Sequence, residues 1–185
     1  MENHTEKVAM KRLPIIFVTI GVPACGKSAF RHTRDYRDLV AAEPEPFIVL
    51  ESDSIREELF GSEYDQSNNE LVFSVLRDRL ETALKYGLSV YVDATHAKRD
   101  WRTYIHILAE KYGARVIALR FHVPFLTLWM RDRLRKRHVG FKVLAKYFFG
   151  IQDPTFLEGF DVIMHVNKTG DVFNTEFSDD YKEPV

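Results

Sequence analysis

The stretch that most limits what this chain can become is residues 14–28, PIIFVTIGVPACGKS. An apolar, β-branched run enters a loop of the form G-x-x-x-x-G-K-S, and a helical pattern starts at Lys27. Strand, glycine-bearing loop and helix in that order are the structural context of a phosphate-binding P-loop, not only its letters. Such a loop must turn successive backbone N–H groups inward onto phosphate oxygens. Gly21 and Gly26 are therefore expected where a Cβ would obstruct the path, with Val22, Pro23, Ala24 and Cys25 completing the cradle. The start of the following helix adds partial positive charge beneath the same phosphates. Lys27 is expected to bring a point charge to the β- and γ-phosphates, and the Ser28 hydroxyl is the natural Mg²⁺ ligand. The stretch reads as a site for ATP or another nucleoside triphosphate.

The remaining elements follow from apolar periodicity and breakers. One helix is expected over 28–42, ended by Glu-Pro-Glu-Pro at 43–46, and a buried-type strand over 47–50. Ser54 and Glu57 have the spacing of a capping box that would open a short helix to Phe60. Helices are expected over 69–86, 98–112, 125–137 and 139–151, with strands over 88–93 and 115–123 and a last strand over 159–166. Strands alternating with helices call for an α/β fold, a P-loop NTPase-like parallel sheet with helices on both faces and a basic helical lid. In such sheets ligands bind beyond the carboxyl ends of the strands, which draws residues 21–28, 51–56 and 93–96 to one rim.

The chain divides into a leader (1–13), a domain (14–170) that includes a lid (125–151), and an acidic C-terminal tail (171–185). A length of 185 residues suits one domain with a full core. The leader is polar and charged, unlike a signal peptide, and no run approaches the ~18 apolar residues of a membrane span, so a cytoplasmic location is expected. A single cysteine excludes an intramolecular disulfide and a cysteine-built zinc site. The net charge of −1 hides an asymmetry. Residues 111–146 hold ten Lys/Arg against one acid, Asp132, or +9, while 153–185 hold eight acids against two lysines, or −6. The cationic segment hints at a polyanionic partner.

Several rim residues fit phosphoryl transfer. Asp53 and Arg56, three apart, share one face of a first helical turn. A transferase acting on a hydroxyl needs a carboxylate to orient and deprotonate it, and gains from a cation on an acceptor phosphate. The alternative is that Asp53 caps the helix and Arg56 pairs with Glu57 or Glu58. Asp93, ending the third strand ahead of Ala94, Thr95 and His96, either supports Mg²⁺ through water or the acceptor, or caps the next helix. His96 is read as a polar rim side chain without metal-ligand spacing. Arg131 and Arg135, four apart, share a helical face and would bring positive charge over the transferring phosphate. Arg133, Lys136, Arg137 and Lys142 either line a path for an acceptor backbone or form a solvated face. Tyr147, Phe148 and Phe149 are read as core packing, with base stacking the alternative.

Taken in order, GVPACGKS, SDSIR, DATH and VPFLTLWMRDRLRKR resemble the 5′-hydroxyl polynucleotide kinases of phages and bacterial nucleic-acid repair systems. The resemblance covers residues 15–166. It implies a phosphotransferase that moves the γ-phosphate of ATP to the 5′-OH of single-stranded or end-exposed DNA or RNA. By matching motifs it implies Lys27 and Ser28 as phosphate and Mg²⁺ residues, Asp53 as general base, and Arg56, Asp93 and Thr95 on the acceptor side. Arg131 and Arg135 become lid residues over the ATP, and Asp53 or Asp93 assists the metal through water. Ala24-Cys25, His96 and Asp132 depart from the family's usual Gly-Ser, Asn and Asn. A small-molecule hydroxyl kinase on the same scaffold is the alternative, and a nucleotide-responsive binding protein without an acceptor the third reading.

Overall fold

The structure is a computed structural model that describes residues 13–42, 47–136 and 138–181. Its centre is β1 (Ile15–Ile20), in which all six residues are buried because both sheet faces are covered there. The other strands are β2 (Phe47–Glu51), β3 (Ser89–Asp93), β4 (Arg115–Phe121), β5 (Val162–Val166) and β6 (Val172–Phe177). They form one sheet in the order β2-β3-β1-β4-β5-β6. The first five run parallel, with Ile16 opposite both Val90 and Val116, and β6 is antiparallel to β5. The sheet is thus mostly parallel rather than wholly so.

Alternation along the strands divides the core in two. Ile16, Val18, Ile20, Val90 and Val92 face one way, onto α3 (Ser52–Phe60), α4 (Asn69–Lys85) and α5 (Thr103–Tyr112) through Ile55, Val72, Leu76, Leu80 and Ile105. Phe17, Tyr91, Ile117, Leu119 and Phe121 face the other way. They meet Phe30 of α1 (Lys27–Phe30), Leu128 of α6 (Phe125–Leu134) and Leu144 of α7 (Phe141–Gly150), with α2 (Arg34–Ala41) packing there through Tyr36 and Leu39.

Five expectations change, three of them through a side chain that out-competes the local pattern. The expected helix over 28–42 is two helices. The Thr33 hydroxyl donates to the Phe30 carbonyl at 2.7 Å and accepts from Tyr36 N–H at 3.3 Å, ending one helix and capping the next. The Ser54 capping box is not made, because α3 begins at Ser52 with Glu51 as its N-cap residue and Ser54 bonds the Glu51 carboxylate instead. The expected helix over 125–137 stops at Leu134, where the buried Asp132 carboxylate accepts from Val139 N–H at 2.9 Å and Gly140 N–H at 3.1 Å. Residues 98–102 form turns before α5. The expected last strand is followed by β6, drawn from the segment assigned to the acidic tail. Its polar face is that of an edge strand, which needs no two-sided apolar run. The Glu-Pro-Glu-Pro breaker and Arg137 lie outside the described residues.

Among the described residues, no helix is long and apolar enough to cross a membrane.

Candidate active site

The loops after β1, β2 and β3 leave the sheet from one edge and meet there. Gly21 N–H donates to the Thr95 carbonyl at 3.3 Å, tying the phosphate loop to the loop after β3. The loop's path depends on two glycines. A Cβ on Gly21 would lie 2.5 Å from Cys25 Sγ, and Gly26 adopts φ +104°. Ala24 also takes a left-handed φ of +64°, a strained conformation for a residue with a Cβ. Cys25 is buried against the Phe30 and Phe121 side of the core, so its thiol fills space beneath the loop. The helix that follows has four residues, so its aligned dipole is small and the positive potential comes from the loop N–H groups and Lys27.

Lys27 Nζ reaches back over the loop, donating to the Gly21 and Val22 carbonyls at 3.2 Å each and approaching Cys25 Sγ at 3.7 Å. These are the contacts an ammonium makes when the cradle offers carbonyl oxygens, and phosphate oxygens are better acceptors for it. The exposed Ser28 hydroxyl donates to Asp93 Oδ2 at 3.4 Å. Asp93 is buried, and burial pushes its carboxyl above the usual range. Lys27 and Arg31 oppose that shift, while Glu51 and Asp53 add to it. Asp93 and Ser28 are therefore brought together as expected.

Asp53 stands exposed on the first turn of α3, with Arg56 Nη1 donating to its Oδ1 at 2.6 Å. Arg56 itself is 5% exposed, and its Nη2 donates to Asn69 Oδ1 at 2.9 Å at the start of α4. Burial of the guanidinium fixes the direction of the exposed carboxylate, so the shared helical face read from the sequence exists, with Arg56 as the anchor. Across the loop, Arg131 Nη1 donates to the Cys25 carbonyl at 3.1 Å and its Nη2 to the Lys168 carbonyl at 2.6 Å. One guanidinium thus ties helix α6 to the phosphate loop and to the β5–β6 hairpin.

The family model described as AAA domain (AAA_33) matches residues 16–148, more than half of the chain. The chain belongs to the AAA domain family. No curated protein sequence matches it. Among solved structures it is similar to a chain of the Pnkp1/Rnl/Hen1 RNA repair complex, with 19% identity and a TM-score of 0.60 over 75% of this chain and 44% of that one. It is also similar to Kti12 of Chaetomium thermophilum in complex with ADP-AlF3, at 14% identity and a TM-score of 0.60 over 82% and 88%. A gluconokinase from Sinorhizobium meliloti 1021 matches at 19% identity and a TM-score of 0.54 over 84% and 83%. The chain spans less than half the length of the first of these. These likenesses show the fold: the AAA domain here has a P-loop kinase-like architecture, which implies nucleotide binding.

Other rim residues of this AAA domain stand elsewhere than expected. Arg135 does not share a helical face with Arg131, because α6 ends at Leu134 and Arg135 is extended (φ −78°, ψ 149°) and exposed. Tyr147 and Phe148 pack against the core as expected, and only Phe149 departs, being 82% exposed. His96 is not on the rim surface. It is 1% exposed with a left-handed φ of +36°, its Nδ1 3.3 Å from the Thr19 carbonyl and its Nε2 3.0 Å from the Tyr104 hydroxyl. Arg31 was missed: its Nη2 donates to Glu51 Oε1 at 2.5 Å. No local pattern announces such a pair, since the partners lie 20 residues apart on separate elements.

Burial lowers the His96 pKa to about 4. An unfolded chain takes up this proton near pH 6.5, which the folded protein refuses until about pH 4, so stability falls as pH drops through that window. The loss amounts to about 3 kcal/mol when complete. Urea unfolding at stepped pH checks this. His96→Asn, which tolerates the left-handed backbone, should flatten the slope between pH 6.5 and 4, and an unchanged slope counts against the assignment.

Proposed function

We propose that this chain is an ATP-dependent polynucleotide 5′-hydroxyl kinase. The observation that carries the reading is an exposed, arginine-anchored carboxylate, Asp53, on the same rim as the Lys27–Ser28–Asp93 group. A protein that only binds nucleotide has no use for a carboxylate so presented. Asp53 accepts the proton of the attacking hydroxyl and aligns its oxygen with the γ-phosphorus. Lys27 neutralises charge on the β- and γ-phosphate oxygens, and Arg131, already at the loop carbonyl, adds a second cation there. Arg135 joins it only if the lid's end folds inward. Arg56 orients Asp53, and it takes an acceptor phosphate by exchanging the Asn69 oxygen for that anion. Thr95 and Asp93 border the acceptor side.

Mg²⁺ fits the residues present. It takes oxygen ligands and keeps several waters, and Ser28 with the carboxylate behind it is such a donor set. Ser28 would hold the ion, and Asp93 rather than Asp53 would hold a water on it, because Asp93 is the carboxylate Ser28 contacts. When bound, the ion supplies charge neutralisation at the phosphates.

The lid supports a polyanionic acceptor. Its acid, Asp132, is buried, so the exposed ionic side chains described on 125–150 are all cationic. The tied-up state of Arg56 favours the second reading, a small-molecule hydroxyl as acceptor, because its guanidinium is already bonded to Asp53 and Asn69.

Incubation with γ-labelled ATP and a 5′-OH oligonucleotide distinguishes the two. Label on the oligonucleotide supports the proposal, and label only on small polyols overturns it. Asp53→Ala should lower kcat by about 10²–10⁴-fold. Arg133→Gln should shallow the salt dependence of oligonucleotide binding by about one unit for every sequence alike. A flat salt slope in the wild type would transfer the assignment to the small acceptor.

A further inference from the structure

We propose that Arg31 and Glu51 are a positioning pair that sets the distance between the phosphate loop and the acceptor helix α3. The inference rests on the reading of Asp53 as the group facing the acceptor. Arg31 follows α1 directly, and Glu51 is the N-cap residue of α3, two positions before Asp53. Their ion pair, 2.5 Å long with both side chains 24% exposed, joins the segment carrying Lys27 and Ser28 to the turn carrying Asp53.

Among the described residues, little else performs that joining. The neighbours Phe30 and Ile55 are buried, but on opposite faces of the sheet, so core packing does not link α1 to α3. Helix α2, which lies between them in sequence, has no fully buried residue. Glu51 uses its second oxygen to accept from the Ser54 hydroxyl at 3.2 Å, so the carboxylate also braces the first turn of α3. Arg31 Nε is buried without a hydrogen-bond partner, a cost accepted where the guanidinium must sit at this corner. At partial exposure such a pair contributes little net stability, and its two charges act on Asp93 in opposite directions, which leaves the holding of the two segments as its main use. A displacement of about 1 Å between reacting groups can cost 10²-fold in rate.

The test uses the full chain and Arg31→Met, Glu51→Gln, the double variant and Arg31→Lys. Arg31→Met and Glu51→Gln should each lower kcat for transfer by about 10–100-fold, with ADP affinity within threefold. The double variant should be no worse than the poorer single one, and Arg31→Lys should recover part of the loss. Additive losses, or a collapse of ADP affinity matching the loss in kcat, would overturn the pairing. Amide exchange gives a readout that needs no acceptor. Arg31→Met should speed exchange at Ile55 and Arg56, the first amides of α3 with acceptors inside the helix, and unchanged exchange there overturns the proposal. A wild type that transfers phosphate to no hydroxyl would remove the kinase reading, while the exchange result would still decide the pair.

Discussion

Lys27→Ala should lower phosphoryl transfer by at least two to three orders of magnitude while leaving the fold intact. The lysine opposes charge that grows between the β- and γ-phosphates in a partly dry site, where one such donor is worth about 3–4 kcal/mol. Its present partners are the Gly21 and Val22 carbonyls and the Cys25 sulfur, all within the loop itself. Removing the ammonium therefore breaks no hydrogen bond between elements, although Asp93 loses a nearby positive charge, and the melting temperature should stay within a few degrees. Steady-state kinetics beside calorimetry checks both halves. A folded variant with wild-type turnover would refute the role of the loop, and a variant that unfolds would mean Lys27 is structural.

Arg102→Met should destabilise the protein by about 3–5 kcal/mol, the cost of leaving one partner of a buried ion pair alone. Arg102 has no exposed surface. Its Nε and Nη2 donate to the two Glu158 oxygens at 2.8 Å each, and its Nη1 donates to the His96 and Gln152 carbonyls at 3.0 Å. Glu158 is 5% exposed and also accepts from Thr155 N–H in a capping box, so it cannot turn out to water without undoing that turn. One guanidinium thereby pins the loop after β3, which carries Thr95 and His96, to the segment after α7. Pairing the change with Glu158→Met should recover much of the loss, because the buried charge is then gone. Urea unfolding of the three variants measures this. A loss below 1 kcal/mol in the single variant would show that Arg99, 3.5 Å from Glu158, suffices as its partner.

Much of the site was legible because its signals are local. The run from Ile15 to Ile20 is apolar at every position but Thr19, a pattern only a strand buried on both faces requires. The loop that follows needs glycine where Cys25 and a positive φ leave no room for a side chain, and the letters report that need directly. Asp93 could be placed beside Ser28 because parallel strands deliver their following residues to one edge, whatever the packing beneath. Asp53 and Arg56 met because residues three apart on a helix must.

The rest depended on partners distant in the chain. The break before α2 and the end of α6 at Leu134 follow from Thr33 and Asp132 finding acceptors or donors that no periodicity displays. The same holds for the Arg31–Glu51 pair and for His96, which reads as a rim residue by position yet is drawn into the core by the Thr19 carbonyl and the Tyr104 hydroxyl. Strand β6 escaped notice because an edge strand buries little and so carries no apolar alternation. Local sequence determines which backbone segments can be strand, loop or helix, since that choice is made within a few residues. Which polar side chains are buried, and against what, is decided only when the folded chain brings the desolvation cost of each and its compensating partner to the same place.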